Sequence, residues 1–142
     1  MLNPYLIVAN AAKAIDFYVS VFGANELVRL ATPDGKVAHA EISVFGAKVM
    51  LADEYPDMGY KSPKTLQGSP VSLYALVPDV DAIFAKAVGA GATEVMAIAD
   101  QFDGDRRGTL ADPFGHIWLL ATKKETVSYE AMRQRFAKLV GE

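Results

Sequence analysis

QFDGDRRGTLADPFGHIWLLA, the stretch Gln101–Ala121, decides the fold. It predicts a charged loop, a short strand, a tight turn at Asp112-Pro113-Phe114-Gly115 and a second strand from His116 to Ala121. Pro113 presets φ at about −65°, Gly115 accepts a positive φ, and the Asp112 carboxylate can bond back to nearby backbone N–H groups. The strand that follows is rich in bulky apolar residues and belongs in a buried sheet. An echo of it lies upstream. Phe45-Gly46-Ala47-Lys48-Val49-Met50-Leu51-Ala52 precedes Phe114-Gly115-His116-Ile117-Trp118-Leu119-Leu120-Ala121 by 69 residues, with the FG turn and the apolar strand in register.

Outward from this pair, the two halves of the chain run in parallel. Pro4 to Ala9 reads as a strand, and Asn10 as the N-cap of a helix. The stripe of that helix is Ala11, Ala14, Ile15, Tyr18, Val21 and Phe22, and Gly23 stops it. Glu26 to Ala31 is a strand and Pro33-Asp34-Gly35 a turn. Val37 to Val44 alternates, with His39, Glu41 and Ser43 on one face and Ala40, Ile42 and Val44 on the other. The cycle restarts with a strand at Val71 to Val77, a cap at Asp79 or Asp81, and an apolar stripe of Val80, Ile83, Phe84, Ala87 and Val88. Gly91-Ala92-Thr93-Glu94-Val95-Met96 echoes Gly23-Ala24-Asn25-Glu26-Leu27-Val28 at an offset of 68.

The expected fold is therefore α+β. Two tandem βαβββ modules, residues 1–54 and 71–122, form a curved mixed sheet that encloses a cleft, with the helices outside. Residues 55–70, rich in Pro and Gly, are a linker or lid loop. In residues 123–142 a C-terminal helix is capped by Ser128, with Met132, Phe136, Leu139 and Val140 on one face. The whole is one domain of 142 residues.

Composition narrows the function classes. Hydrophobic residues make up 51% and charged residues 22%, ordinary values for a globular chain. A net charge of −3 gives no electrostatic footprint for nucleic acid or an anionic membrane. The absence of cysteine removes disulfides, thiolate nucleophiles and thiolate metal sites, and fits a cytoplasmic protein. No apolar run approaches the roughly 18 residues of a membrane helix, and Met1-Leu2-Asn3-Pro4 does not begin a signal peptide.

The paired modules resemble the vicinal oxygen chelate superfamily of glyoxalase I, extradiol dioxygenases and the bleomycin- and fosfomycin-resistance proteins. Ala14-Ile15-Asp16-Phe17-Tyr18 with Phe22-Gly23 resembles its first-helix signature, and Asp112-Pro113-Phe114-Gly115-His116 its final-strand signature. His39-Ala40-Glu41, Met50-Leu51-Ala52-Asp53-Glu54, Gly104-Asp105-Arg106 and His116-Ile117-Trp118 resemble the PhnB-like subfamily, whose members are mostly homodimers. Some members carry names alluding to a demethylubiquinone methyltransferase, for which no glycine-rich nucleotide loop speaks here. In metal-dependent members four ligands come from the first and last strands of the modules. The resemblance carries those positions onto Asn3, Met50, Ser72 and Leu119. Methionine and leucine there offer nothing to Zn²⁺, Ni²⁺, Mn²⁺ or Fe²⁺, so no cofactor is expected and a divalent metal is disfavoured.

If Phe45-Gly46 is a two-residue turn, Glu41 pairs across from Met50. The cleft face then reads His39, Glu41, Lys48 and Met50, with Gly108, Leu110, Ile117 and Leu119 as symmetry mates. Tyr5 and Tyr74, again 69 apart, stand above Asn3 and Ser72. Expected ligand-binding residues are Tyr5, Met50, Ser72, Tyr74, Leu110, Leu119 and Arg106. His39 and Glu41 are the catalytic candidates, as a general acid/base pair or part of a metal site. A buried structural pair satisfied by Arg106 or Arg29, or a pair that simply faces solvent, is the alternative. The expected function is a homodimeric small-molecule (drug or metabolite) binding protein without the standard metal site. Its alternative is a lyase- or isomerase-type enzyme using His39 and Glu41, cofactor-free or with a relocated divalent metal.

Overall fold

The computed structural model describes residues 1–141. The first module contains β1 (Tyr5–Val8), α1 (Ala11–Phe22), β2 (Asn25–Ala31), β3 (Val37–Val44) and β4 (Ala47–Asp53). A single 3-10 turn at Pro56–Met58 and the short helix α2 (Pro63–Leu66) lead to the second module. That module repeats the order with β5 (Ser72–Leu76), α3 (Val80–Gly89), β6 (Thr93–Asp100), β7 (Asp105–Ala111) and β8 (Ile117–Lys123), and α4 (Tyr129–Leu139) ends the chain. The strands form two four-stranded mixed sheets, β1–β4–β3–β2 and β5–β8–β7–β6. In each, the first strand pairs in parallel with the last, and the others pair antiparallel.

The same local chemistry starts both helices. The Asn10 side chain accepts from the Lys13 N–H at 3.1 Å, and Asp79, not Asp81, accepts from the Ala82 N–H at 3.2 Å. A residue at the end of the last strand ties each helix to its sheet. Asp53 accepts from the N–H groups of Ala11 at 2.9 Å and Val37 at 2.7 Å. Thr122, at the matching place, accepts from the Val80 N–H at 2.8 Å and donates to the Val77 carbonyl at 2.8 Å.

The helices cover one face of each sheet. Leu6, Val8, Ile42 and Leu51 are buried beneath α1, and Leu110, Trp118 and Leu120 are buried in the second half. The modules then share a seam. Trp118 packs its ring against Tyr18 (5.7 Å between centroids), Phe22 (5.0 Å) and Phe45 (6.1 Å) of the first module. Tyr18, fully buried, donates its hydroxyl to Asp112 at 2.5 Å, and Trp118 Nε1–H donates to the same carboxylate at 2.9 Å. Asp112 also accepts from the N–H groups of Phe114 (2.9 Å) and His116 (3.0 Å), so this buried carboxylate has four donors. Those two bonds close the DPFG turn as the sequence predicts. The His116 ring does something else: Nε2 meets the Ile7 carbonyl of the opposite module at 3.0 Å.

The segment expected as a loop is built and anchored along its second half. Glu54 accepts from the Ser62 N–H (3.1 Å) and the Thr65 hydroxyl (2.7 Å), and these bonds hold its carboxyl below the usual carboxylate range. Pro63 is buried against Gly115, where a Cβ would lie 2.7 Å from the Pro63 Cβ. Only the stretch from Tyr55 to Lys61 stands off as a closed turn, with reciprocal backbone bonds of 2.8 and 3.2 Å between Tyr55 and Tyr60. The last helix rests on the body through Phe136 against Phe102 (5.5 Å) and Arg135 to Glu125 (2.5 Å).

Candidate functional site

The opposite face of each sheet is open, and the strand registers decide what stands on it. In the first half Tyr5, Met50 and Glu41 lie side by side across β1, β4 and β3, with Glu41 opposite Met50 as the sequence predicts. A bulge at the start of β3 puts Val37 in the core while His39 stays with Glu41 on the open side. In the second half Tyr74, Leu119 and Thr109 lie across β5, β8 and β7. Ser72 is exposed one step along the same face, beside Ile117.

Here the structure corrects the sequence reading. Four residues separate Ser43 from Lys48, whereas five separate Ala111 from Ile117. The repeat offset is therefore 69 on β8 but 68 on β7. The counterparts of His39 and Glu41 are Arg107 and Thr109, not Gly108 and Leu110. Leu110 is fully buried under the helices and cannot touch a ligand in the cleft. Gly108 faces α3, where a Cβ would lie 2.8 Å from the Phe84 ring. Arg106 also turns to the helix side and is held by Asp81 (2.8 Å) on α3 and Asp100 (3.1 Å), so it is not on the ligand face. A one-residue slip inverts every side chain of a strand, which is the whole of the error.

The polar wall is a continuous chain of contacts. The Tyr5 hydroxyl lies 2.9 Å from His39 Nδ1, His39 Nε2 lies 2.8 Å from Glu41 Oε2, and Lys48 Nζ lies 3.1 Å from Glu41 Oε1. With Nε2–H donating to the carboxylate, Nδ1 is left to accept from Tyr5. The bonds from His39 and then Lys48 hold the Glu41 carboxyl below its usual range. Burial, then the neighbouring Tyr60 and Glu41, push the Tyr5 phenol up. The partners offered for Glu41 from sequence, Arg106 and Arg29, are elsewhere; Arg29 pairs with Glu26 at 2.7 Å.

The second half carries a related arrangement with a fixed charge. Arg107 Nη1 donates to the Tyr74 hydroxyl at 3.0 Å and to Asp103 at 2.8 Å, and Tyr74 donates to Asp105. Burial, then the bond to Asp105, raise the Tyr74 phenol. Arg107 and Thr109 were hidden from the sequence reading by the offset of 69, and Asp103 by its place in the loop before β7. Tyr55, Met58 and Tyr60, which stand beside Tyr5 at the edge of the first sheet, were hidden in the segment read as a loop.

The resemblance drawn from the sequence carries the metal-ligand positions of metal-dependent members onto Asn3, Met50, Ser72 and Leu119. Their donor chemistry does not fit a divalent ion: an amide, a thioether, a hydroxyl and a hydrocarbon offer neither imidazole nor carboxylate. Among the described residues, no group of three or more His, Cys, Asp or Glu side chains is placed to hold one elsewhere.

Known proteins with this plan are numerous. Residues 2–120 match the sequence model of the Glyoxalase/Bleomycin resistance protein/Dioxygenase superfamily. An uncharacterized protein of Mycobacterium bovis, Mb0911c, is 49% identical over 135 residues, covering 93% of this chain and 89% of that protein. The solved structure of the Arabidopsis thaliana gene product At5g48480 superimposes with a TM-score of 0.69 at 29% identity, over 85% of this chain and 97% of that one. The PhnB protein from Bacillus cereus, named as a 3-demethylubiquinone-9 3-methyltransferase, shares the fold with a TM-score of 0.69 at 21% identity, over 85% and 98% of the two chains. With its duplicated βαβββ plan and this match over most of its length, the chain belongs to the glyoxalase/bleomycin resistance protein/dioxygenase superfamily.

Proposed function

We propose that the protein is a homodimeric small-molecule binding protein that works without the divalent ion of its metal-dependent relatives, in the cytoplasm. The observation that carries this reading is the composition of the two open faces. One presents Tyr5 and Met50 beside the His39–Glu41–Lys48 wall and the other Ser72, Tyr74 and Leu119, a mixture of aromatic, apolar and polar groups suited to an organic molecule. Large apolar side chains on and around these faces, Leu27, Leu30, Leu76 and Met96 with both tyrosines, are each more than 45% exposed in the single chain. A second copy set against them would bury this surface and turn two open faces into a closed cleft.

The test is metal analysis of untagged protein, light scattering, and a thermal-shift screen of organic compounds with and without divalent ions. A metal-free dimer stabilised by an organic compound supports the proposal. A monomer, or stoichiometric metal whose stabilisation is lost in His39→Ala, sinks it.

A second reading, a cofactor-free lyase or isomerase, is favoured by one specific feature. His39 is held between a carboxylate on one ring nitrogen and a phenol on the other, the arrangement that orients an imidazole for proton transfer. Under that reading Glu41→Gln lowers turnover and alters its pH profile while leaving ligand affinity nearly unchanged.

A further inference from the structure

Beside the open face of the first sheet is a pocket of about 440 Å³. Tyr5 forms one side, and the closed turn between Tyr55 and Tyr60 supplies Tyr55, Met58 and Tyr60. The turn is stapled by its own two backbone bonds, so the three side chains are presented together and not on a loose loop. The only charged residue in the lining is Asp53; no lysine, arginine or histidine contributes to it among the described residues. The Asp53 oxygens accept from the N–H groups of Ala11, at the start of α1, and Val37, so the carboxylate is turned to the helix side and the pocket wall itself is made of uncharged groups. The raised Tyr5 phenol stays protonated through neutral pH, which keeps that wall neutral.

An anion gains nothing in such a pocket. Phenol ring faces and a thioether attract a positive charge, above all one whose hydration is weak because it is wrapped in carbon. One ring of the set already carries a cation. The ammonium of Lys36, which is not part of the lining, rests 5.6 Å from the centroid of the Tyr55 ring.

We infer that this pocket is a binding site for an organic cation of the quaternary-ammonium type, held by Tyr5, Tyr55, Tyr60 and Met58. The inference rests on the small-molecule reading above and names the ligand class. It places the charged end of the ligand under the Tyr55–Tyr60 turn and leaves the rest of the molecule to the open face carrying Met50.

The experiment is a ¹H–¹⁵N correlation titration of the full-length protein with choline and, separately, with 3,3-dimethylbutan-1-ol, its uncharged carbon counterpart. Choline should move the amides of Tyr5, Ala38, Ala52, Met58 and Tyr60, and should bind about tenfold more tightly than the alcohol. Tyr60→Leu, at a side chain 52% exposed and outside the core, should weaken choline about tenfold and the alcohol less than twofold. Tyr55→Leu is the second variant, and an unchanged amide spectrum certifies that each still folds. Equal affinity for the two probes would overturn the cation assignment and leave the small-molecule reading standing. Silence of these amides to both probes would also overturn it, and the independent compound screen would then judge the broader reading alone.

Discussion

At the residue scale Asp112 concentrates more of the molecule than any other side chain. It is a buried carboxylate on the turn of the second module, and one of its four donors is a tyrosine of the first. Asp112→Asn keeps the shape but turns part of an acceptor into a donor facing other donors. It should cost about 2 kcal/mol in urea denaturation, and Tyr18→Phe a comparable amount. The double variant should lose less than the sum, because both changes break one bond. Burial, then Asp112, push the Tyr18 phenol well above its ordinary value of 10.0. The folded protein therefore holds the proton more tightly than the unfolded chain. This contribution is complete below pH 10.0 and is lost as pH climbs from there toward the folded-state value. Wild-type stability should decline in that window, and the decline should be smaller in Tyr18→Phe. The turn at Asp112 was legible in the sequence, since Asp-Pro-x-Gly states its own geometry. Its long-range partner Tyr18 was not, because nothing local distinguishes a tyrosine on an apolar helical stripe from its neighbours.

At the scale of elements, periodicity located both helices and the alternation of β3, and the caps at Asn10 and Gly23 stand where the sequence puts them. Pairing Glu41 with Met50 followed from the two-residue turn at Phe45-Gly46. What failed was transfer of that face to β7, where a longer turn shifts the register by one and substitutes Arg107 and Thr109 for Gly108 and Leu110. The segment after Glu54 was opaque for another reason: its order comes from Glu54 and from Pro63 on Gly115, contacts that no periodicity announces. Two glycines test that packing. Both Gly35 and Gly115 have φ near +90°, at 87° and 92°, but a Cβ at Gly35 meets nothing within 4 Å. Gly35→Ala should cost about 1 kcal/mol from backbone strain alone, and Gly115→Ala about 2 kcal/mol or more because Pro63 must also move. Thermal or urea unfolding of the pair measures the difference directly.

At the scale of the whole molecule the two sheets share no ladder, so their cohesion rests on the seam around Trp118 and on the His116 bond to Ile7. Trp118 is the single tryptophan, and it touches Tyr18, Phe22 and Phe45 across that seam. Its emission therefore reports on the junction, while far-UV circular dichroism reports on both halves. The two signals should change at the same denaturant concentration, as one cooperative transition. Separate midpoints would mean that the modules unfold independently. The extra residue in the DPFG turn has a consequence for anyone recombining the halves. Because it falls outside the paired strands, an entire β-hairpin with its own turn is a transplantable cassette, and every side chain would arrive on its proper side. A graft cut inside β7 and spliced at a constant spacing would instead deliver its buried leucine to water and its arginine to the core.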